Sequence, residues 1–247
     1  MNKRVEAGDL TRAEAAMLLA WWVEAGVDVA VQDEPRDWRV RAAPPLAPAA
    51  EAPAEPPLAA QPPRPTSGGT LPTTLEAFHA HLAESAELPL FRAGAARALP
   101  HGPANAELML LTGIPTPEDA AEGKPLGGAA AKLATNMLRA VGLTPDQTYV
   151  AALTCFSGTG TRFSEADSAA CRDTVLAQIA LVAPKRLLLF GDQPAKLLLG
   201  QPMASARGKL HRIAGVPTAI TFPPRHLLAN NGHKALAWAD LLLIMGE

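Results

Sequence analysis

The chain has 247 residues, of which 48% are apolar and 19% charged, with a formal net charge of −2. That apolar content is enough for a sizeable core and excludes a wholly disordered chain, while the near-neutral balance excludes a histone-like polycation. The two cysteines, Cys155 and Cys171, supply neither a disulfide framework nor a four-cysteine metal site, so a reduced, cytoplasmic setting without metal or cofactor is expected. No apolar run reaches the roughly 20 residues that cross a bilayer, and the first residues lack a signal peptide's apolar stretch, so no membrane attachment is expected.

In chain order, Thr11-Arg12-Ala13-Glu14 reads as a capping box leading into Met17, Leu18, Leu19, Trp21, Trp22 and Val23, with Gly26 as the stop. This predicts a helix within an N-terminal segment, residues 1–41. It either packs on the protein's own core or docks a protein partner through Trp21 and Trp22. Residues 42–73 hold ten of the 24 prolines among Ala, Gly and Ser, too little apolar surface to offset ordering entropy. They read as a semi-rigid linker, leaving residues 74–247 as the folded domain.

Within that domain, helices are predicted over residues 75–85, 129–141, 164–182, 193–199 and 234–245. Buried strands are predicted over 107–112 (ELMLLT), 148–154, 186–190 and 216–222. Strands alternating with helices predict a three-layer α/β/α domain around a mainly parallel four-stranded sheet, with its site at the strands' carboxyl ends. Between Lys185 and Lys234 lie eight Lys or Arg against one acid, Asp192. Arg207, Lys209, Arg212 and Arg225 bracket the fourth strand, and this block reads as a phosphate-tracking face for DNA.

The loops carry a further pattern. Thr112-Gly113-Ile114-Pro115-Thr116 follows the first strand, then Glu118-Asp119, then Gly123-Lys124-Pro125-Leu126-Gly127-Gly128-Ala129. Tyr149-Val150-Ala151-Ala152, Pro184-Lys185, Gly191, Leu198-Leu199-Gly200, Arg207-Gly208-Lys209-Leu210-His211 and Thr221-Phe222-Pro223-Pro224-Arg225-His226-Leu227-Leu228 come next. In this order and spacing the series resembles the uracil-DNA glycosylases, in particular their iron–sulfur, family-four-like branch, over about residues 75–245. The resemblance implies DNA repair: a flipped base read by hydrogen bonds and stacking, and an N-glycosidic bond hydrolysed.

At the positions where that family keeps its pocket residues, this chain departs. Gly113 stands for the carboxylate beside Pro115, Leu126 for the stacking aromatic, Ala152 for the base-reading Asn and Pro223 for the charge-stabilising His. The first cysteine pair of the cluster is missing around residues 84–88, and Phe156 stands in a ligand's place beside Cys155. Losing one charge-stabilising donor costs about 10²–10³ in rate. Two readings follow. In one, a rearranged site uses Asp119 or Glu118 and His226 for hydrolysis, with Arg162 contacting the DNA backbone. In the other, the fold survives as a DNA-binding or adaptor module without hydrolysis.

Overall fold

The structure is a computed structural model that describes residues 71–158 and 164–246. The expected tryptophan helix, the linker up to residue 70 and Arg162 lie outside the described residues. The elements in chain order are α1 (Leu75–Glu84), β1 (Leu108–Thr112), α2 (Pro117–Ala121), α3 (Gly128–Ala140), β2 (Thr148–Ala152) and α4 (Glu165–Val182). There follow β3 (Leu187–Phe190), α5 (Asp192–Leu199), α6 (Met203–Ala206), β4 (His211–Ile213), β5 (Val216–Thr221), α7 (Pro224–Ala229) and α8 (Lys234–Met245).

The strands order β2-β1-β3-β5-β4; all neighbours run parallel except β4, which is antiparallel to β5. Successive strand side chains point to opposite faces, and each face finds its own cover. Met109, Leu111, Tyr149, Leu187, Leu189 and Ile220 pack with Val175, Ile179 and Val182 of α4 and with Ala195 and Leu198 of α5. Leu108, Leu110, Leu188, Phe190 and Ala219 pack with Ala134 and Leu138 of α3 and Leu241 and Ile244 of α8. The expected three-layer α/β/α architecture is therefore present.

The expected strand count was four, and the described residues carry five. The additional β4 is three residues long and too short to show a period. Its hairpin to β5 turns on Ala214 and Gly215, both at positive φ (49° and 82°), the two-residue geometry that Asn-Gly would have announced.

Local chemistry sets the helix starts. Thr74 accepts the Ala77 N–H at α1, and Ser164 with Asp167 closes a reciprocal capping box at α4. The Tyr149 hydroxyl, fully buried, ties β2 to its cover through His79 Nε2 at 2.6 Å and Gln178 Nε2 at 2.9 Å. No helix among the described residues is long and apolar enough to cross a membrane.

Candidate active site at the carboxyl ends of the strands

Strand order reverses around β1, whose neighbours are β2 on one side and β3 on the other, so the crevice beyond the carboxyl ends of β1 and β3 is the expected seat of a site. Gln193, in the first turn of α5, crosses it. Its Oε1 accepts the Ile114 N–H at 2.9 Å, and a Cβ on Gly113 would overlap that oxygen. The space a side chain at 113 would need is thus taken by a residue that sequence reading did not select. Gln193 also lines a groove of about 510 Å³ with Leu153, Arg172 and Lys196.

Asp119 and Glu118 sit at the start of α2, whose N-cap is Thr116. Asp119 is buried and its oxygens are fully used. Oδ2 accepts the Thr116 N–H (2.8 Å) and hydroxyl (2.9 Å), and Oδ1 accepts the Gly127 N–H (2.6 Å) and Arg225 Nη2 (2.6 Å). Burial disfavours its charge, but the hydrogen bonds from Gly127, Thr116 and Arg225 outweigh that and hold its pKa below the ordinary carboxylate value. A group so tied is a poor base. The structure thus places Asp119, expected to activate water, as the capping acid of α2, tied at both oxygens to Thr116, Gly127 and Arg225. Glu118 is half-exposed and pairs with Arg225 Nη1 at 2.6 Å.

A third acid, Glu122, completes the arrangement by accepting the Gly128 N–H at 2.8 Å. The N-terminus of α3, where the helix dipole and free amides favour an anion, is therefore filled by the chain's own carboxylates. Leu126, just before it, has φ +58° and is buried against Leu110, Ala134 and Leu138. It borders a recess of about 170 Å³ with His101 and Lys124 at the rim. Pro115 is buried. Ala152 borders a cavity of about 20 Å³ with Thr154, Cys155 and Gln178, room for about one water.

On the β5 side, the Pro223 ring lies against the Gly191 backbone; a Cβ there would stand 2.8 Å from Pro223 Cγ, and Gly191 has φ +91°. Proline offers no proton and no N–H to the crevice. The Thr221 hydroxyl is buried without a hydrogen-bond partner among the described residues. His226 does not face Asp119's neighbours alone: its Nε2 shares a hydrogen bond with His233 Nδ1 at 2.6 Å, and both rings stack on Phe222 at 5.1 and 4.6 Å. His226, expected as an acid or base, thus sits within a stacked histidine pair.

The basic block is largely spoken for. Arg207 donates through Nε and Nη2 to buried Asp240 at 2.8 and 2.6 Å and lies 4.3 Å over the Phe222 ring. Arg225 binds Glu118 and Asp119, Lys185 binds Glu107 at 2.5 Å, and Lys196 pairs with Asp192. Four of the acids that pair with the block, Glu107, Glu118, Asp119 and Asp240, lie outside it in sequence. Arg207 and Arg225, expected at DNA phosphates, each hold carboxylates of this chain: Asp240 for Arg207, Glu118 and Asp119 for Arg225. Arg212 is exposed and donates to the Gly215 carbonyl, and Lys209 is exposed.

An iron–sulfur cluster, implied by the resemblance, does not fit the residues present, since such clusters take four thiolates and the chain has two cysteines. Around Cys155 the structure packs Phe78, Leu82, Leu88 and Phe156. Arg97 lies 4.7 Å over Phe156 and donates to the Leu82 and Ser85 carbonyls. Burial pushes both Cys155 and Cys171 up to about 12, far from the thiolate form.

An α/β/α sheet of this order, with the glycine-rich entry to α3 and the Thr221–Leu228 turn gathered at its carboxyl ends, defines a glycosylase-type scaffold. The chain belongs to the Uracil DNA glycosylase superfamily, whose family model matches residues 99–242.

Proposed function

We propose that the chain is a DNA-associated repair protein of the family-four-like branch whose pocket no longer reads or hydrolyses flipped uracil. The observation that carries this reading is the saturated Asp119 carboxylate: the acid best placed beside the crevice accepts four hydrogen bonds and is held charged as a structural anchor. Leu126 in the core and Pro223 against Gly191 support it, because neither offers uracil a hydrogen bond or a ring face, and Gln193 fills the space beside Gly113. DNA contact then falls to Lys209, Arg212 and Arg162, and a protein partner to Trp21 and Trp22. The division into residues 1–41, 42–73 and 74–247, and a cytoplasmic setting, belong to the same proposal.

Fluorescence anisotropy with duplex and single-stranded oligonucleotides tests it. Uracil- and thymine-containing strands should bind alike; a preference for uracil of about tenfold or more, near 1.4 kcal/mol, would overturn it.

One observation favours a second reading. The Arg225–Glu118 pair is half-exposed, 35% and 53%, so a DNA phosphate competing for Arg225 would free Glu118 to take a proton from the attacking water. In that case the protein excises a base, and Glu118→Gln abolishes the excision while DNA binding persists.

A further inference from the structure

Between α3 and α8, in the outer helical layer, lies an apolar groove of about 330 Å³ lined by Leu133, Met137, Leu227, Trp238 and Leu241, with Lys234 at one end. Exposure around it is uneven. Of the five large hydrophobic side chains exposed among the described residues, four belong to α7 and α8: Leu228, Leu236, Trp238 and Leu242, at 41–50% exposure. Trp238 and Leu242 stand one turn apart on the same ridge. Of the four, Trp238 lines the groove; a helix as apolar as Lys234–Met245 is ordinarily covered on all sides, and exposed apolar surface beside a groove marks an interaction surface.

The lining positions define the shape of the occupant. On α3 they are Leu133, Asn136, Met137 and Ala140; on α8 they are Lys234, Ala237, Trp238 and Leu241. Each set is spaced i, i+3, i+4, i+7, two parallel ridges about 10 Å long, the length of two helical turns. Charge defines its chemistry. The charged residues on the two helices are Lys132, Arg139, Lys234 and Asp240, and Asp240 is buried under Arg207. Lys234 lines the groove itself, and the other exposed charges on the two helices, Lys132 and Arg139, are also cations.

We propose that this groove docks an amphipathic helix of a partner protein, its apolar stripe seated between α3 and α8 and its flanks acidic. Trp238 is the anchor, an aromatic at the edge of an apolar trough with the exposed rim cations selecting the partner's sign.

The test is fluorescence anisotropy of the full chain with a labelled synthetic helical peptide carrying Leu and Trp at i, i+3, i+4 and i+7 and Glu on its flanks. A peptide with the same apolar positions and Lys flanks is measured beside it. The acidic peptide should bind with a Kd on the order of 10 µM and the basic one about tenfold more weakly. Trp238→Ala should weaken the acidic peptide by about tenfold or more. Lys132→Glu combined with Lys234→Glu, both exposed positions, should invert the preference, and this readout holds whether or not Trp238→Ala folds. Equal binding of the two peptides, no binding by either, or a preference unmoved by the charge reversal overturns the proposal. Sedimentation velocity should show a monomer; a dimer lost in the Trp238→Ala chain would give the groove to a second copy and overturn it too.

Discussion

Asp119 holds two backbone amides, one hydroxyl and one guanidinium together, so its replacement reads directly on the cluster at the start of α2 and α3. Asp119→Asn keeps the size but loses the charge and part of the acceptor capacity. The expected cost is about 1.5–3 kcal/mol, the range for hydrogen bonds to a charged group, measured by urea unfolding. The pH dependence follows from the sign of the shift. A carboxyl whose pKa is depressed by folding contributes stability above its unfolded value, near about 4, and loses it as pH falls through the folded value. Acid titration of stability should therefore be less steep below about pH 4 in Asp119→Asn than in the wild type. Thr221 gives the opposite expectation. Its buried hydroxyl has no hydrogen-bond partner among the described residues, so Thr221→Val should be neutral or stabilising by up to about 1 kcal/mol; a loss of more than about 1 kcal/mol would contradict this. At this scale the identities of Gly113, Leu126, Ala152 and Pro223 were legible in the sequence. What fills the space around them was not, because Gln193, Glu122 and His233 come from other elements or later turns, and nothing in their local sequence marks the approach.

Among the elements, the strands and longer helices were legible because buried strands of four to six apolar residues and helices of eight to eighteen residues carry their period plainly. The short pieces α2, α6, β4 and α7 were not, since three to six residues show no period and two of them begin on proline, which reads equally as a turn. One strained residue closes a helix. Ala183 closes α4 at φ 46°, ψ 53°, the left-handed region in which an L-residue with a side chain costs about 1–2 kcal/mol. Glycine there relieves the clash but gives back about 0.5–1 kcal/mol of chain entropy. Ala183→Gly should therefore stabilise the domain by roughly 0.5 kcal/mol, seen as a higher urea midpoint with unchanged slope. A lower midpoint would contradict the assignment of that cap.

For the whole molecule, the decisive matter is how the charges pair across the sequence. Ion pairs join Lys185 to Glu107, Arg225 to Glu118 and Asp119, and Arg207 to Asp240, tying the basic block to acids from other elements. Arg207→Ala and Arg225→Ala should lower stability and leave the salt dependence of DNA binding unchanged. Lys209→Ala and Arg212→Ala should each flatten the slope of log K against log salt by up to about 0.9 on duplex. The central claim is that the crevice, bridged by Gln193 and anchored by Asp119, no longer carries uracil chemistry. Single-turnover excision, with the wild-type protein in excess over single- and double-stranded uracil oligonucleotides, tests it most directly. Strand breakage after alkali should stay at the protein-free level while the same preparation retains DNA, and time-dependent, enzyme-proportional release of uracil would contradict the account.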